Sequence, residues 1–331
     1  MVSLNIGVLI SQPEHEASDP AATDRASGEA LVQALQGLGL QATLIPADDE
    51  LRLAQALRQA HIDACLLATH GDLGGSGRLQ AQLRRCCIPF VGPEAEAVAA
   101  AYDKGNAREQ LAAANLPVPT TLAFGGGLET PTSALAYLGW PAILKPRRGA
   151  QGHGVLRLLS AQEIADVVED EVVHGNEILV ERAVEGIEVQ VVLLDGEVLG
   201  SMQIDRSRDL QTIEAMICPP ELSPTMLCGI EHIARHAVET LNLGSGVARV
   251  DILRSDRHNE QILEVEPLPS LARDGVVARV AQAAGIDYAS LVAHLVAALP
   301  VVDTLPQVGA AQSQEQKTFE PPQSELTAPL P

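Results

Sequence analysis

Lys145-Pro146 closes an apolar stretch and opens into Arg147-Arg148-Gly149-Ala150-Gln151-Gly152-His153-Gly154-Val155, a basic, glycine-rich turn before a second strand-like segment. Few side chains project from such a turn, so backbone amides can approach phosphate oxygens while the lysine supplies a matching charge. By itself such a pattern usually marks only a tight turn. Glu177-Ile178-Leu179-Val180-Glu181-Arg182 and then Glu185-Gly186-Ile187-Glu188 put carboxylates at the end of one strand and the start of the next. Carboxylates so placed can accept hydrogen bonds from ribose hydroxyls, although Glu185 reads better as a solvated strand edge. Downstream, Arg249-Val250-Asp251 and Glu264-Val265-Glu266 end two apolar strands separated by a turn. Alternation sends Arg249 and Asp251 to one face of their strand, and Glu264 and Glu266 to one face of theirs. Asp251, Glu264 and Glu266 together form a hard oxygen set of the kind Mg2+ accepts, with water and phosphate completing its shell. An arginine buried beside them would meet a transferring phosphoryl group or a developing oxyanion. Locally, a cross-strand salt bridge of Arg249 with a carboxylate explains the same residues equally well.

These groups need a scaffold, and the apolar periodicity supplies one. Leu4 to Ile10, Ala42 to Ile45, Ala64 to Thr69 and Ile88 to Val91 read as short strands, with helices at Gly28 to Leu38 and Glu50 to Ala60 between them. Strands alternating with helices predict a parallel α/β sheet. Ligands of such sheets sit at the carboxyl ends of strands, where His70-Gly71 and a loop from Asp72 to Gly77 fall. Helix Lys104 to Ala114 leads into a second region with strands Ala142 to Lys145 and Gly154 to Leu158 and helix Ala161 to Val172. A third region holds the hairpin Glu188 to Leu194 and Glu197 to Ile204 around Asp195-Gly196, helix Thr225 to Leu241, strands Val247 to Leu253 and Gln261 to Val265, and helix Tyr288 to Leu299. The expected domains are 1–97, 98–180 and 181–303, followed by a tail, 304–331, whose Pro, Gln, Ser and Glu content predicts disorder.

A chain of 331 residues with 46% hydrophobic content can build several cores. Its formal charge of −21 would repel phosphate backbones and anionic lipids, which disfavours nucleic-acid and membrane partners and points to small-molecule chemistry. Met1 to Ile10 reads as a first strand and not as a signal peptide, since Asn5 interrupts it and no basic segment precedes it. The five cysteines lack a CxxC pair, which argues against a disulfide framework or a structural zinc and favours the cytoplasm.

Taken in order, Lys145-Pro146 with its glycine loop, Glu177 to Arg182, Glu188, Arg249-Val250-Asp251 and Glu264-Val265-Glu266 resemble the ATP-grasp series. Upstream, His70-Gly71, Gly77-Arg78-Leu79-Gln80, Ile88-Pro89-Phe90-Val91-Gly92 and Tyr102-Asp103-Lys104 are similar to the D-alanine:D-alanine ligases within it. The resemblance implies an N-terminal α/β substrate domain followed by two ATP-grasp subdomains that sandwich a nucleotide. It implies ATP and Mg2+ as cofactors, amino-acid substrates and a homodimer. Lys104 and Lys145 match lysines that hold ATP phosphates, and Gly152 belongs to the loop over them. Glu181 and the backbone near Val184 match adenine contacts, and Glu188 a ribose contact. Asp251 and Glu264 match magnesium ligands; Glu266 stands where the family usually has Asn. Arg249 matches the arginine that stabilises the tetrahedral intermediate, and Glu14 the glutamate that receives the first substrate's ammonium group. His70, Ser270 and Gly275 fall at substrate positions.

Departures from the family pattern cluster around the substrates. Gly75-Ser76 replaces a Glu-Asp pair, Gln151-Gly152 replaces paired serines, Gly275 replaces a serine that holds the second substrate's carboxylate, and Met216 replaces a lid lysine. Arg147, Arg148, Arg206, Arg208 and Arg273 are the cations that could compensate. The expected function is therefore an ATP-dependent carboxylate–amine ligase acting through an acyl phosphate, with altered amino-acid substrates. The alternatives are a genuine D-alanine:D-alanine ligase of cell-wall synthesis and a catalytically silent nucleotide-binding relative.

Overall fold

The computed structural model describes residues 4–11, 20–127, 132–149, 152, 154–207, 210, 212–255 and 259–299. The tail expected over 304–331 lies outside them. The first region runs β1 (Asn5–Ile10), α1 (Pro20–Gly37), β2 (Gln41–Pro46), α2 (Glu50–Gln59), β3 (Ala64–Ala68), α3 (Gly71–Gly75), α4 (Arg78–Arg85) and α5 (Ala95–Tyr102). Its sheet has the order β2-β1-β3 with every pair parallel, as the alternation of strands and helices predicts. Three expectations here need correction. Ile88 to Val91 is no strand, since only Phe90 bridges to Cys65. The expected loop after His70 folds instead as α3 and the start of α4. And α1 begins at Pro20, about two turns before Gly28. The early turns of α1 were illegible because two of their buried residues, Asp24 and Ser27, are polar and carry no apolar period.

Next come α6 (Lys104–Ala113), β4 (Thr121–Phe124), α7 (Leu135–Leu138), β5 (Ala142–Pro146), β6 (Leu156–Leu158), α8 (Ala161–Val173) and β7 (Ile178–Arg182). Their strands form an antiparallel sheet of order β4-β7-β5-β6, backed by α7 and α8 over a core of Leu138, Leu144, Ile164, Val168 and Val180. The chain ends with β8 (Ile187–Leu194), β9 (Glu197–Arg206), β10 (Ile213–Ile217), α9 (Pro224–Thr240), β11 (Val247–Arg254), β12 (Gln261–Glu266), α10 (Val276–Ala283) and α11 (Tyr288–Ala297). These strands build an antiparallel sheet of order β10-β9-β8-β11-β12. The hairpin predicted around Asp195-Gly196 is present, with both turn residues at positive φ.

Period-two alternation decides what each face of this sheet does. Val189, Val191, Leu193, Val250, Ile252 and Val265 point to the side covered by α9 and α6. The other face is divided. Val192, Met202, Ile204 and Val247 join a core shared with α10, α11, α1 and the strands β1 and β3, so the first region is packed directly onto this sheet. The remainder of that face carries Glu188, Gln190, Arg249, Asp251, Glu264 and Glu266, and all of these but Glu266 line the cavity described below. Among the described residues no single helix is long and apolar enough to cross a membrane.

Candidate active site

A cavity of about 420 Å³ lies between the four-stranded and five-stranded sheets. Lys104, Lys145, Gly152, Glu181, Val184, Glu188, Arg249, Asp251 and Glu264 all line it, so residues from separate elements and distant parts of the chain meet at one place. Pro119, Ile143, Leu253 and Leu263 supply apolar wall.

Lys145 comes from the end of β5, where its side chain leaves the sheet beside the neighbouring strand β7. Its Nζ lies 2.7 Å from Glu181 Oε2 and 3.4 Å from the Leu263 carbonyl. Arg108 on α6 grips the same carboxylate from the other side, with Nε donating to Glu181 Oε1 at 3.0 Å, and it also donates to the Leu263 carbonyl. All three charged side chains are buried. Burial draws the Lys145 ammonium down to about 8, against the opposing pull of Glu181. Burial would raise Glu181, but Arg108 and Lys145 outweigh it and hold that carboxyl below its ordinary range.

The pairing of β11 with β12 sets Asp251 opposite Glu264 and Arg249 opposite Glu266. All four therefore share one face, as alternation predicts. Arg249 donates to both oxygens of Asp251, at 2.6 and 2.9 Å. Gln190 Nε2 links Asp251, at 3.3 Å, to Glu188, at 2.9 Å, and Arg206 holds Glu188 with two bonds of 2.6 and 3.0 Å. Lys104 Nζ sits 3.2 Å from Glu264 and donates to the Gly149 carbonyl. Burial lifts Asp251 to about 6, against Arg249 and with Glu188 and Glu264 adding to the rise. Burial and Glu264 raise Glu266 as well. Glu264 moves the other way, because Lys104, Arg249 and Lys145 overcome its burial.

Among the described residues no three acidic, imidazole or thiol groups converge as a ready-made metal cage. The donor set nevertheless fits Mg2+, which takes only one or two protein carboxylates and completes its shell with phosphate and water. Asp251 and Glu264, opposite each other on the cavity wall, are the two so placed. Glu266 does not line the cavity; its carboxylate accepts the Leu268 N–H at 3.3 Å.

The substrate positions lie off this cavity as well. His70 is hydrogen-bonded to Asp24, Ser270 Oγ meets Ser27 Oγ at 3.0 Å, and Gly275 caps α10 beside Val276, which does reach the cavity. Glu14, Gln151 and Arg208 lie outside the described residues. Of the arginines expected to compensate, Arg206 lines the cavity paired with Glu188, while Arg147 and Arg148 pair with Asp103 and Arg273 lies over the Tyr288 ring at 4.5 Å. Sequence reading missed Arg108, Gln190, Asp24 and Ser27. Gln190 was within reach, since it follows Glu188 by one strand period; nothing local marked the others.

Two antiparallel sheets with a cavity between them, lined by Lys104, Lys145, Arg249 and the carboxylates of Glu181, Asp251 and Glu264, give the architecture of an ATP-grasp protein. D-alanine–D-alanine ligase from Bacillus anthracis complexed with ATP superposes with a TM-score of 0.79 at 22% identity, covering 89% of this chain and 96% of that one. A family model described as "D-ala D-ala ligase C-terminus" matches residues 128–297. D-alanine–D-alanine ligase from Geobacter sulfurreducens is 30% identical over 279 residues, 82% of this chain and 87% of that protein. The corresponding protein from Gloeobacter violaceus is 29% identical over 284 residues, 82% and 92% of the two chains. The chain belongs to the D-alanine–D-alanine ligase family.

Proposed function

We propose that this chain is an ATP-dependent ligase that joins the carboxylate of one amino acid to the amine of another through an acyl phosphate. The observation that carries this reading is that Lys104, Lys145, Arg249, Asp251, Glu264 and Glu188 all line one cavity. Lys145 and Lys104 would hold phosphates beneath the glycine loop, and Ile143, Val184 and Leu263 would cover the base. Glu188 is placed for ribose hydroxyls. Mg2+, held by Asp251 and Glu264, would neutralise phosphate charge during transfer. Arg249, which its acidic neighbours hold firmly in the charged state, would stabilise the oxyanion of the tetrahedral species. Catalysis here is positioning and charge compensation, and no covalent enzyme nucleophile is needed.

A second reading concerns the acceptor. The relatives are named for D-alanine, yet Gly275 brings no side chain to the position where the family has a serine, and Met216 packs against the apolar core where the family has a lysine. The first change favours an acceptor held differently from D-alanine, and the second removes the lysine that would reach the γ-phosphate from the lid. ADP release should be measured with Mg-ATP against a matrix of D- and L-amino acids, and the products identified by mass spectrometry. Efficient D-alanyl-D-alanine formation at submillimolar substrate would remove the altered-acceptor reading. Asp251→Asn and Glu264→Gln should each abolish ADP release while the protein stays folded. If no amino acid stimulates ADP release in the wild type, the ligase reading gives way to nucleotide binding alone.

A further inference from the structure

Arg206 ends β9 opposite Ile213 of β10, one strand period beyond Ile204, which pairs with Met216. Alternation puts Ile204 and Arg206 on the same face of the sheet. Ile204 and Met216 are taken up by the apolar core shared with the first region, whereas Arg206 clears that core and lines the cavity. Its Nε donates to Glu188 Oε2 at 2.6 Å and its Nη2 to Glu188 Oε1 at 3.0 Å. These bonds use Nε and one hydrogen of Nη2, so the other guanidinium donors have no partner among the described residues. The side chain keeps 29% of its surface exposed, which leaves those donors accessible to a ligand in the cavity.

The place of Arg206 along the wall indicates which ligand group it meets. Glu188 Oε1 also accepts from Gln190 Nε2, which reaches Asp251, so one line of contacts runs from Arg206 through Glu188 and Gln190 to Asp251. Asp251 and Arg249 both act electrostatically on the Arg206 guanidinium. Glu188 is the residue placed for ribose and Asp251 the one placed for metal. The polyphosphate that joins a ribose to its metal has to cross the stretch of wall between them. A guanidinium presents paired N–H groups that match two phosphate oxygens. Glu188 can keep hold of it meanwhile, since a carboxylate has about four acceptor sites and the three bonds it accepts leave room for a ribose hydroxyl.

We propose that Arg206 is a nucleotide-binding residue that grips the polyphosphate from β9, supplying there the positive charge that Met216 takes out of β10, with Glu188 holding its guanidinium in place. The inference rests on the ligase reading above. Phosphate oxygens add charge-assisted bonds to a side chain already fixed by its fork on Glu188, so little conformational freedom is lost on binding.

Calorimetry on the full chain with Mg2+ and the β,γ-imido analogue of ATP, which binds without turnover, tests it. Arg206→Met should weaken binding about 30-fold, the loss expected for charge-assisted hydrogen bonds to phosphate. That substitution also leaves Glu188 uncompensated, so it is repeated in a Glu188→Gln chain, where it should still weaken binding about 10-fold or more. Should Arg206→Met not fold, the double substitution, which removes both halves of the ion pair, is compared with Glu188→Gln alone. Unchanged affinity in Arg206→Met overturns the proposal. So does a loss that disappears in the Glu188→Gln background, because Arg206 would then serve only to neutralise Glu188. A wild type that does not bind the Mg-nucleotide overturns the ligase reading and this role with it, whereas one that binds it independently of Arg206 overturns only the role given to Arg206.

Discussion

Lys145 shows how one position can serve both fold and chemistry. Its ammonium is buried beside Glu181 and drawn down to about 8. A lysine depressed by folding loses its proton in the folded state first, so the burden of burying its charge is present below about pH 8. That burden is relieved as pH rises toward the ordinary lysine value of 10.5, and stability from this group increases over that window. Phosphate in the cavity would favour the charged form instead. Nucleotide binding should therefore take up a proton and weaken as pH rises above about 8, which calorimetry at pH 7 and pH 9 in buffers of different ionisation enthalpy would measure. Affinity that is flat across that range would show that Lys145 does not meet the phosphates. Arg108 holds the other side of Glu181 and reaches Leu263. Arg108→Ala should lower stability by about 3 kcal/mol in urea unfolding, near the lower end expected for breaking a buried pair because Lys145 remains.

The short helices after His70 explain one of the departures from the family pattern. A Cβ on Gly75 would stand 2.3 Å from the Tyr102 ring, so α5 packs where a glutamate side chain would have to go. Gly77 is fixed for a different reason, since its φ is 77° and a Cβ would lie 2.2 Å from the Ala95 carbonyl oxygen. Loss of the Glu-Asp pair is thus coupled to the aromatic ring against it. Restoring the acid by Gly75→Glu should destabilise the protein by roughly 1–3 kcal/mol through overpacking. Tyr102→Ala in the same chain should recover a large part of that loss, a non-additivity that a double-mutant cycle in urea would expose. Additive effects of the two changes would mean that the ring is not the cause.

The two bodies around the cavity differ in how they are anchored. The five-stranded sheet shares one apolar core with α1, α10, α11 and the first-region strands, whereas the four-stranded sheet keeps a separate core with α7 and α8. The ion pair of Arg108 with Glu181 and the hydrogen bond from Lys145 to the Leu263 carbonyl join the two across the cavity. Residues 121–182 should therefore open at a lower free energy than the rest of the described fold, and hydrogen exchange followed by mass spectrometry should show their amides exchanging first. Mg-ATP should slow that exchange selectively, since a ligand held from both sides stabilises only the closed arrangement. Uniform protection across both sheets, with and without nucleotide, would count against this division.

By itself the sequence determined the α/β class, the parallel first sheet, the later hairpins and most of the cavity wall. Part of this rests on short-range rules: alternation put Arg249, Asp251, Glu264 and Glu266 on common faces, and a glycine-rich turn beside Lys145 marked the phosphate side, whereas Lys104 and Val184 came only from the family resemblance. The tertiary structure alone decided which charges are spoken for. Arg108 reads as an ordinary helix arginine until the fold brings α6 to Glu181, and Arg206 reads as a spare cation until β9 lays it along Glu188. Asp24 and Ser27 are separated in sequence from His70 and Ser270, and nothing local marks them. Periodicity records only the water-avoiding face of a helix, and a buried polar residue is intelligible only when the partner that satisfies it has been brought beside it.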